Sequence, residues 1–214
     1  MYDVVGFDVD GVLRRSRREI WHCVIQVLAH FRIPKCNWPT YGQFWCHYSE
    51  PYIAMWRRYG VTASEHEIVG EYTRFGGRDL SSPLYHDATG VVKKLVARGS
   101  LLTVVSASPE ENIRMCLRGP HNSGIEGRFT TIIGQAYEKA GVLRRLREQF
   151  AREYGARSFA YVGDIASDME AAQTAEWDGI AHAANHCAVC TLNGSPFVYR
   201  ITRLRQLLPL SPPR

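Results

Sequence analysis

Asp3-Val4-Val5-Gly6-Phe7-Asp8-Val9-Asp10-Gly11-Val12 is the stretch that decides the fold. An apolar run too short to cross a membrane delivers two carboxylates, at i and i+2, into a glycine-led exit. That pattern reads as a buried strand whose C-terminal end carries chemistry. Two acids so close repel each other, and burying either one unpaired is costly. The arrangement makes sense when a cation lies between them or when one takes part in proton transfer. Solvated aspartates at an Asp-Gly turn are the alternative reading.

Downstream of Leu13 the texture turns helical and aromatic, with Trp21, Trp38, Phe44, Trp45, Tyr48, Tyr52, Trp56 and Tyr59, and it stays so to about Tyr85. Density of this kind suits the core of a small helical unit, and substrate pockets are often apolar and lie between units. From Asp87 a helix is expected, with Val91, Val92, Leu95 and Val96 as its stripe and Arg98-Gly99 as its stop. A strand over 101–106 follows, then a helix opened by Pro109 with Glu110 and Glu111 in its first turn. The pattern next predicts a strand over 129–134, a helix over 139–154, a strand over 159–163, a helix over 169–175, a strand over 179–183 and a terminal helix through Ile201, Leu204, Leu207 and Leu208. Strand and helix alternating at this spacing favour a parallel sheet covered on both faces, with active groups at the C-terminal strand edge.

At 214 residues, with 45% hydrophobic and 22% charged, the chain has the length for one well-buried core plus an insertion, and a composition that does not call for disorder. No apolar run has membrane-spanning length and no leader precedes the first strand, so the expected location is the cytoplasm, with no membrane partner. The net charge of +5 comes largely from arginine, the lysines being Lys35, Lys93, Lys94 and Lys139. No basic stripe interleaved with aromatics reads as a nucleic-acid face. Arg14, Arg15, Arg17 and Arg18 follow directly on the carboxylate pair, as a solvated helix start or as groups near an anionic substrate. Six scattered cysteines read as reduced thiols. Cys187-x-x-Cys190 with His182 and His186 lacks the second knuckle of a specific zinc pattern and reads as a loop. Nothing in the sequence sets the oligomeric state.

Four polar signals sit just beyond expected strands or at a helix start: Asp8 with Asp10, Ser106, Lys139, and Gly163-Asp164 with Asp168. Ser108 is an alternative to Ser106. In order and placement the set resembles the haloacid dehalogenase superfamily, specifically its phosphoglycolate phosphatase and β-phosphoglucomutase-like subgroup. The usual proline after the third-motif lysine is absent, Ala140 and Gly141 following Lys139. The resemblance implies an α/β, Rossmann-like parallel-sheet core over 1–13 and 86–214 with an inserted α-helical cap domain over 14–85. It implies a phosphatase acting on a small phosphorylated metabolite with Mg2+. Asp8 would be the nucleophile, Asp10 the general acid and base, and Ser106, Ala107 and Lys139 the phosphate-binding groups. Asp8, the backbone carbonyl of Asp10 and Asp164 would hold the metal, with Asp168 orienting its shell. A second acid at position 10 favours phosphate esters over haloacids. Ser106-Ala107-Ser108 also looks like a sugar phosphomutase, and a catalytically idle binding protein is the alternative from another class.

Overall fold

The opening run folds as β1 (Val4–Phe7), buried along its whole length, as a strand covered on both faces must be. The computed structural model describes residues 1–48, 52–75, 82–119, 124–184, 192 and 194–213. Its sheet has six strands in the order β3-β2-β1-β4-β5-β6, with β2 (Leu101–Val105), β3 (Thr131–Ile133), β4 (Phe159–Gly163), β5 (Asp178–His182) and β6 (Tyr199–Ile201). Every pairing is parallel. The order reverses at β1, which pairs with β2 on one side and β4 on the other, and such a reversal opens a crevice at the C-terminal strand ends.

Between β1 and β2 the chain passes through α1 (Arg17–His30), α2 (Tyr41–His47), α3 (Tyr52–Arg58), α4 (Glu65–Arg74) and α5 (Ala88–Ala97). The first four form a helical insert with its own core of Ile20, Val24, Phe44, Trp45, Trp56 and Ile68, among others. Thr40 and Ser64 close capping boxes at the starts of α2 and α4, each satisfying backbone N–H groups that a helix end leaves open. The insert leaves and returns by adjacent passages: the Arg15 N–H donates to the Pro83 carbonyl at 2.9 Å and the Tyr85 N–H to the Leu13 carbonyl at 2.8 Å.

Alternation along β1 sends neighbouring side chains to opposite layers. Val5 and Phe7 join Val91, Val92 and Leu95 of α5 and Ile113 and Leu117 of α6 (Glu110–Arg118). Val4 joins Val142, Leu143, Leu146 and Phe150 of α7 (Lys139–Tyr154) and Ala171 and Ala172 of α8 (Ala166–Thr174). The sheet is therefore covered on both faces. No helix among the described residues is long and apolar enough to cross a membrane.

Two expectations need correction. The stretch expected as a terminal helix is divided: Ile201 ends β6, pairing beside His182, and only Leu204–Leu207 turn, as a 3-10 helix. Ile201, Leu204 and Leu207 recur at intervals of three, which suits the tighter helix's three residues per turn, and the following Pro209 cannot continue it. The third strand is shorter than 129–134, because Phe129 still closes the 3-10 turn over Glu126–Arg128 and pairing with β2 spans only Thr131–Ile133.

Candidate active site

The candidate side chains converge at the C-terminal edge of the sheet, at the reversal. Asp8 follows β1 directly, its N–H continuing the ladder onto the Val162 carbonyl at 2.9 Å. Ser106 follows β2, Asp164 follows β4, Lys139 is the first residue of α7, and Asp168 lies in the first turn of α8. The missing proline does not displace Lys139: Glu138 caps α7 instead, its carboxylate accepting the Gly141 N–H at 2.8 Å.

Lys139 Nζ stands 3.3 Å from Asp8 Oδ2 and 2.5 Å from Asp168 Oδ1, and Asp168 Oδ2 accepts the Asp164 N–H at 3.2 Å. Asp8 Oδ1 is buried and has no hydrogen-bond partner. One carboxylate oxygen from each of Asp8, Asp164 and Asp168 lies within 4.8 Å of the others. Burial raises the Asp8 carboxyl to about 6; Lys139 and a bond from the Ser106 hydroxyl oppose the rise, and Asp168 and Asp10 add to it. Burial likewise raises Asp164 to about 6, against the pull of Arg17 and with the push of Asp8. Burial alone would lower the Lys139 pKa, but Asp168 and Asp8 outweigh it and hold the ammonium charged. Lys139 and Arg17 against three buried carboxylates still leave net negative charge, and an orphaned oxygen among hard oxygen donors fits a small divalent cation.

Asp10 is differently placed. Arg14 donates to its Oδ1 from Nε at 2.8 Å and from Nη2 at 2.5 Å, and the Ser108 hydroxyl donates to its Oδ2 at 2.6 Å. Burial would push this carboxyl up, but Arg14 and Ser108 outweigh it and hold Asp10 below its ordinary value. Ser108 therefore serves Asp10, while Ser106 lies against Asp8, with Ala107 next to it in the cavity lining.

Sequence reasoning left the arginine run open between solvation and substrate contact, and for two of the four residues the structure shows neither. Arg15 and Arg18 are exposed, whereas Arg14 and Arg17 are buried and bound to carboxylates of the site. Arg17 donates from Nε to Asp164 Oδ2 at 2.7 Å and from Nη2 to the Asp164 carbonyl at 2.8 Å, and its guanidinium lies 4.4 Å over the Trp45 ring of the insert. Helical spacing gave no signal for Arg14 and Arg17, since α1 begins only at Arg17 and Arg14 lies in the loop before it, bridged to Asp10 and Leu84. His182 was also missed as a support: its Nδ1 donates to the Gly11 carbonyl at 2.9 Å, holding the loop after β1. The remainder of the possible zinc cluster, His186, Cys187 and Cys190, lies outside the described residues.

Two glycines are required by close approach. Gly11 has φ +78°, and a Cβ there would fall 1.8 Å from Asp164 Oδ2; a Cβ on Gly163 would fall 2.3 Å from the Asp168 Cβ. Both positions let the loops bearing carboxylates come together.

A cavity of about 630 Å3 opens over the site, with Asp8, Asp10, Ser106, Ala107, Lys139 and Asp164 on its floor and residues of α1 to α4 on its walls. A second concavity of about 430 Å3, at β3 beside Arg114 and Glu126, contains none of the candidate residues.

Comparison with solved structures finds the same fold in a proposed haloacid dehalogenase-like hydrolase of Bacteroides fragilis, 19% identical, TM-score 0.78, covering 97% of this chain and 100% of that one. A predicted phosphoglycolate phosphatase of Haemophilus somnus is 19% identical, TM-score 0.64, with 84% of each chain covered. CbbY of Rhodobacter sphaeroides, in complex with xylulose-1,5-bisphosphate, is 14% identical, TM-score 0.71, with 97% of each chain covered. No match is found among curated proteins. Residues 5–182, which hold every carboxylate of the site, match the family of haloacid dehalogenase-like hydrolases. The chain belongs to that family.

Proposed function

We propose that the protein is a magnesium-dependent phosphatase that hydrolyses small phosphate monoesters through an aspartyl-phosphate on Asp8. The observation that carries this reading is the Asp8 carboxylate itself: it lies on the cavity floor with one oxygen unpartnered, beside Lys139 and Ser106. An oxygen nucleophile held there can attack phosphorus, splitting one difficult displacement into two easier ones.

Lys139 and the Ser106 hydroxyl would meet the phosphoryl oxygens, with Ala107 shaping the turn against them, and supply fixed charge and hydrogen bonds where negative charge develops. Asp8, the Asp10 backbone carbonyl and Asp164 would hold magnesium, with Asp168 in support; when bound, the ion neutralises charge between carboxylate and phosphoryl oxygens. Asp10 would take a proton from the water that releases phosphate from Asp8, and would give one to the departing alkoxide. Its bond from Ser108 is the one that a proton on Asp10 would reverse, since a hydroxyl can donate or accept. The helical insert would close the site from water and select the ester. The CbbY complex with a sugar bisphosphate is in keeping with a small phosphorylated substrate.

The test is phosphate release from a panel of esters with magnesium or with chelator. Wild type should release phosphate only with the metal, and Asp8→Asn should lose about 1,000-fold or more in kcat/KM. Equal turnover by Asp8→Asn and wild type would overturn the reading.

A further inference from the structure

The cavity has two unlike halves. Its floor is charged; its walls, supplied by the insert, are mostly apolar, with Ile20, Val24, Trp45, Met55, Trp56 and Val69, and carry Tyr48, Tyr72, Thr73 and Glu65 as their polar side chains. Among the described lining residues the one cationic side chain is Lys139, already bound to Asp8 and Asp168. The two nearby guanidinium groups are likewise bound, Arg14 to Asp10 and Arg17 to Asp164. Among the described lining residues the charged side chain that the insert contributes is Glu65, an exposed carboxylate.

We propose, resting on the phosphatase reading, that the substrate is a phosphate monoester of an aromatic alcohol with no second anionic group. Among the described lining residues, a second carboxylate or phosphate entering the upper cavity would meet apolar side chains, Tyr48, Tyr72, Thr73 and Glu65 rather than a cation. A sugar would set several hydroxyls against apolar Ile20, Val24, Met55 and Val69, the insert's polar lining side chains being Tyr48, Tyr72, Thr73 and Glu65, and each hydroxyl left without a partner counts against binding. A flat ring instead gains apolar burial and edge or offset contacts with tryptophan. The space is ample, since a cavity of about 150 Å3 holds one benzene ring and this one measures about 630 Å3. The reaction balances with water as co-reactant: the ester P–O bond breaks, Asp8 bonds to phosphorus, and water then releases inorganic phosphate and restores the carboxylate.

The test compares naphthylethyl phosphate, phosphoglycolate and a hexose phosphate, all three leaving through an alkoxide, so that intrinsic reactivity does not decide the ranking. With magnesium, kcat/KM for the naphthylethyl ester should exceed the other two by about 100-fold. Val69→Lys, at a wall position 41% exposed and therefore tolerant of the longer side chain, should reduce the ratio of naphthylethyl phosphate to phosphoglycolate by about tenfold or more. A wild-type preference for phosphoglycolate or the hexose phosphate, or a ratio unmoved by Val69→Lys, overturns this inference and leaves the phosphatase reading standing. Release from none of the esters overturns both.

Discussion

The sheet edge and the helical insert treat buried groups in opposite ways. At the sheet edge Asp8, Asp164 and Asp168 are buried together, at 6%, 3% and 0% exposure, with one lysine and one arginine to balance them. In the insert the buried groups are aromatic and aliphatic, and they pack on one another. Burying like charges together raises the folded state's free energy, whereas burying apolar surface lowers it. The fold thus holds its chemistry in a strained floor and derives local stability from the unit above it. Arg17 joins the two, its guanidinium bonded to Asp164 below and stacked on Trp45 beside it.

Removing that joint should have the largest effect on stability. Arg17→Met takes the guanidinium from a buried carboxylate while keeping much of the side-chain volume, and such losses cost about 3–5 kcal/mol. Urea unfolding should show it, and magnesium should restore part of the loss by offsetting the buried negative charge of Asp164. A variant as stable as wild type would mean that the two regions are not coupled through this residue.

The strain at the floor has a pH signature. The folded-state values of Asp8 and Asp164, about 6, lie above the ordinary aspartate value of 3.8. The folded protein then binds more protons than the unfolded chain between those values, so these groups make stability fall as pH rises from about 4 to about 6. Asp8→Asn removes one such charge. In chelator at pH 7.5 it should stabilise the protein by about 2–3 kcal/mol relative to wild type, and near pH 4 the difference should vanish. Thermal melts at the two pH values check this, and a stabilisation independent of pH would break the contrast between floor and insert.

A smaller effect isolates the insert. Ser64→Ala breaks the capping box at the start of α4, where Ser64 and Glu67 satisfy each other's backbone N–H groups. The loss should be about 1 kcal/mol by denaturant melt, with the metal dependence of phosphate release unaltered. A change in metal dependence would show that the insert and the floor do not act separately.

The floor was legible in sequence because each of its residues stands directly after an apolar run or at a helix start, where chain direction alone places it at the sheet edge. Asp8, Ser106 and Asp164 follow β1, β2 and β4 without an intervening residue. The ion pairs were less legible. Asp164 and Arg17 are 147 positions apart, and only the fold brings such a pair together. Arg14 lies in the loop before α1 and Arg17 at its first residue, and what separates them from exposed Arg15 and Arg18 is contact with Asp10 and Asp164, which no local pattern announces. At the C-terminus Ile201, Leu204 and Leu207 carry a period compatible with either helix type, and pairing with β5 decided the first of them. The character of the cavity walls was hidden for the same reason: Ile20, Met55 and Val69 come from three different helices and face one space only after they pack.

The central claim is that Asp8 becomes phosphorylated during turnover. Acid quench of the protein during steady-state hydrolysis of a labelled phosphate ester, followed by peptide mapping, tests it directly. Label is expected on the peptide containing Asp8, absent in Asp8→Asn and released by hydroxylamine as from an acyl phosphate. Steady turnover with label on a different residue, or label retained in Asp8→Asn, would contradict it.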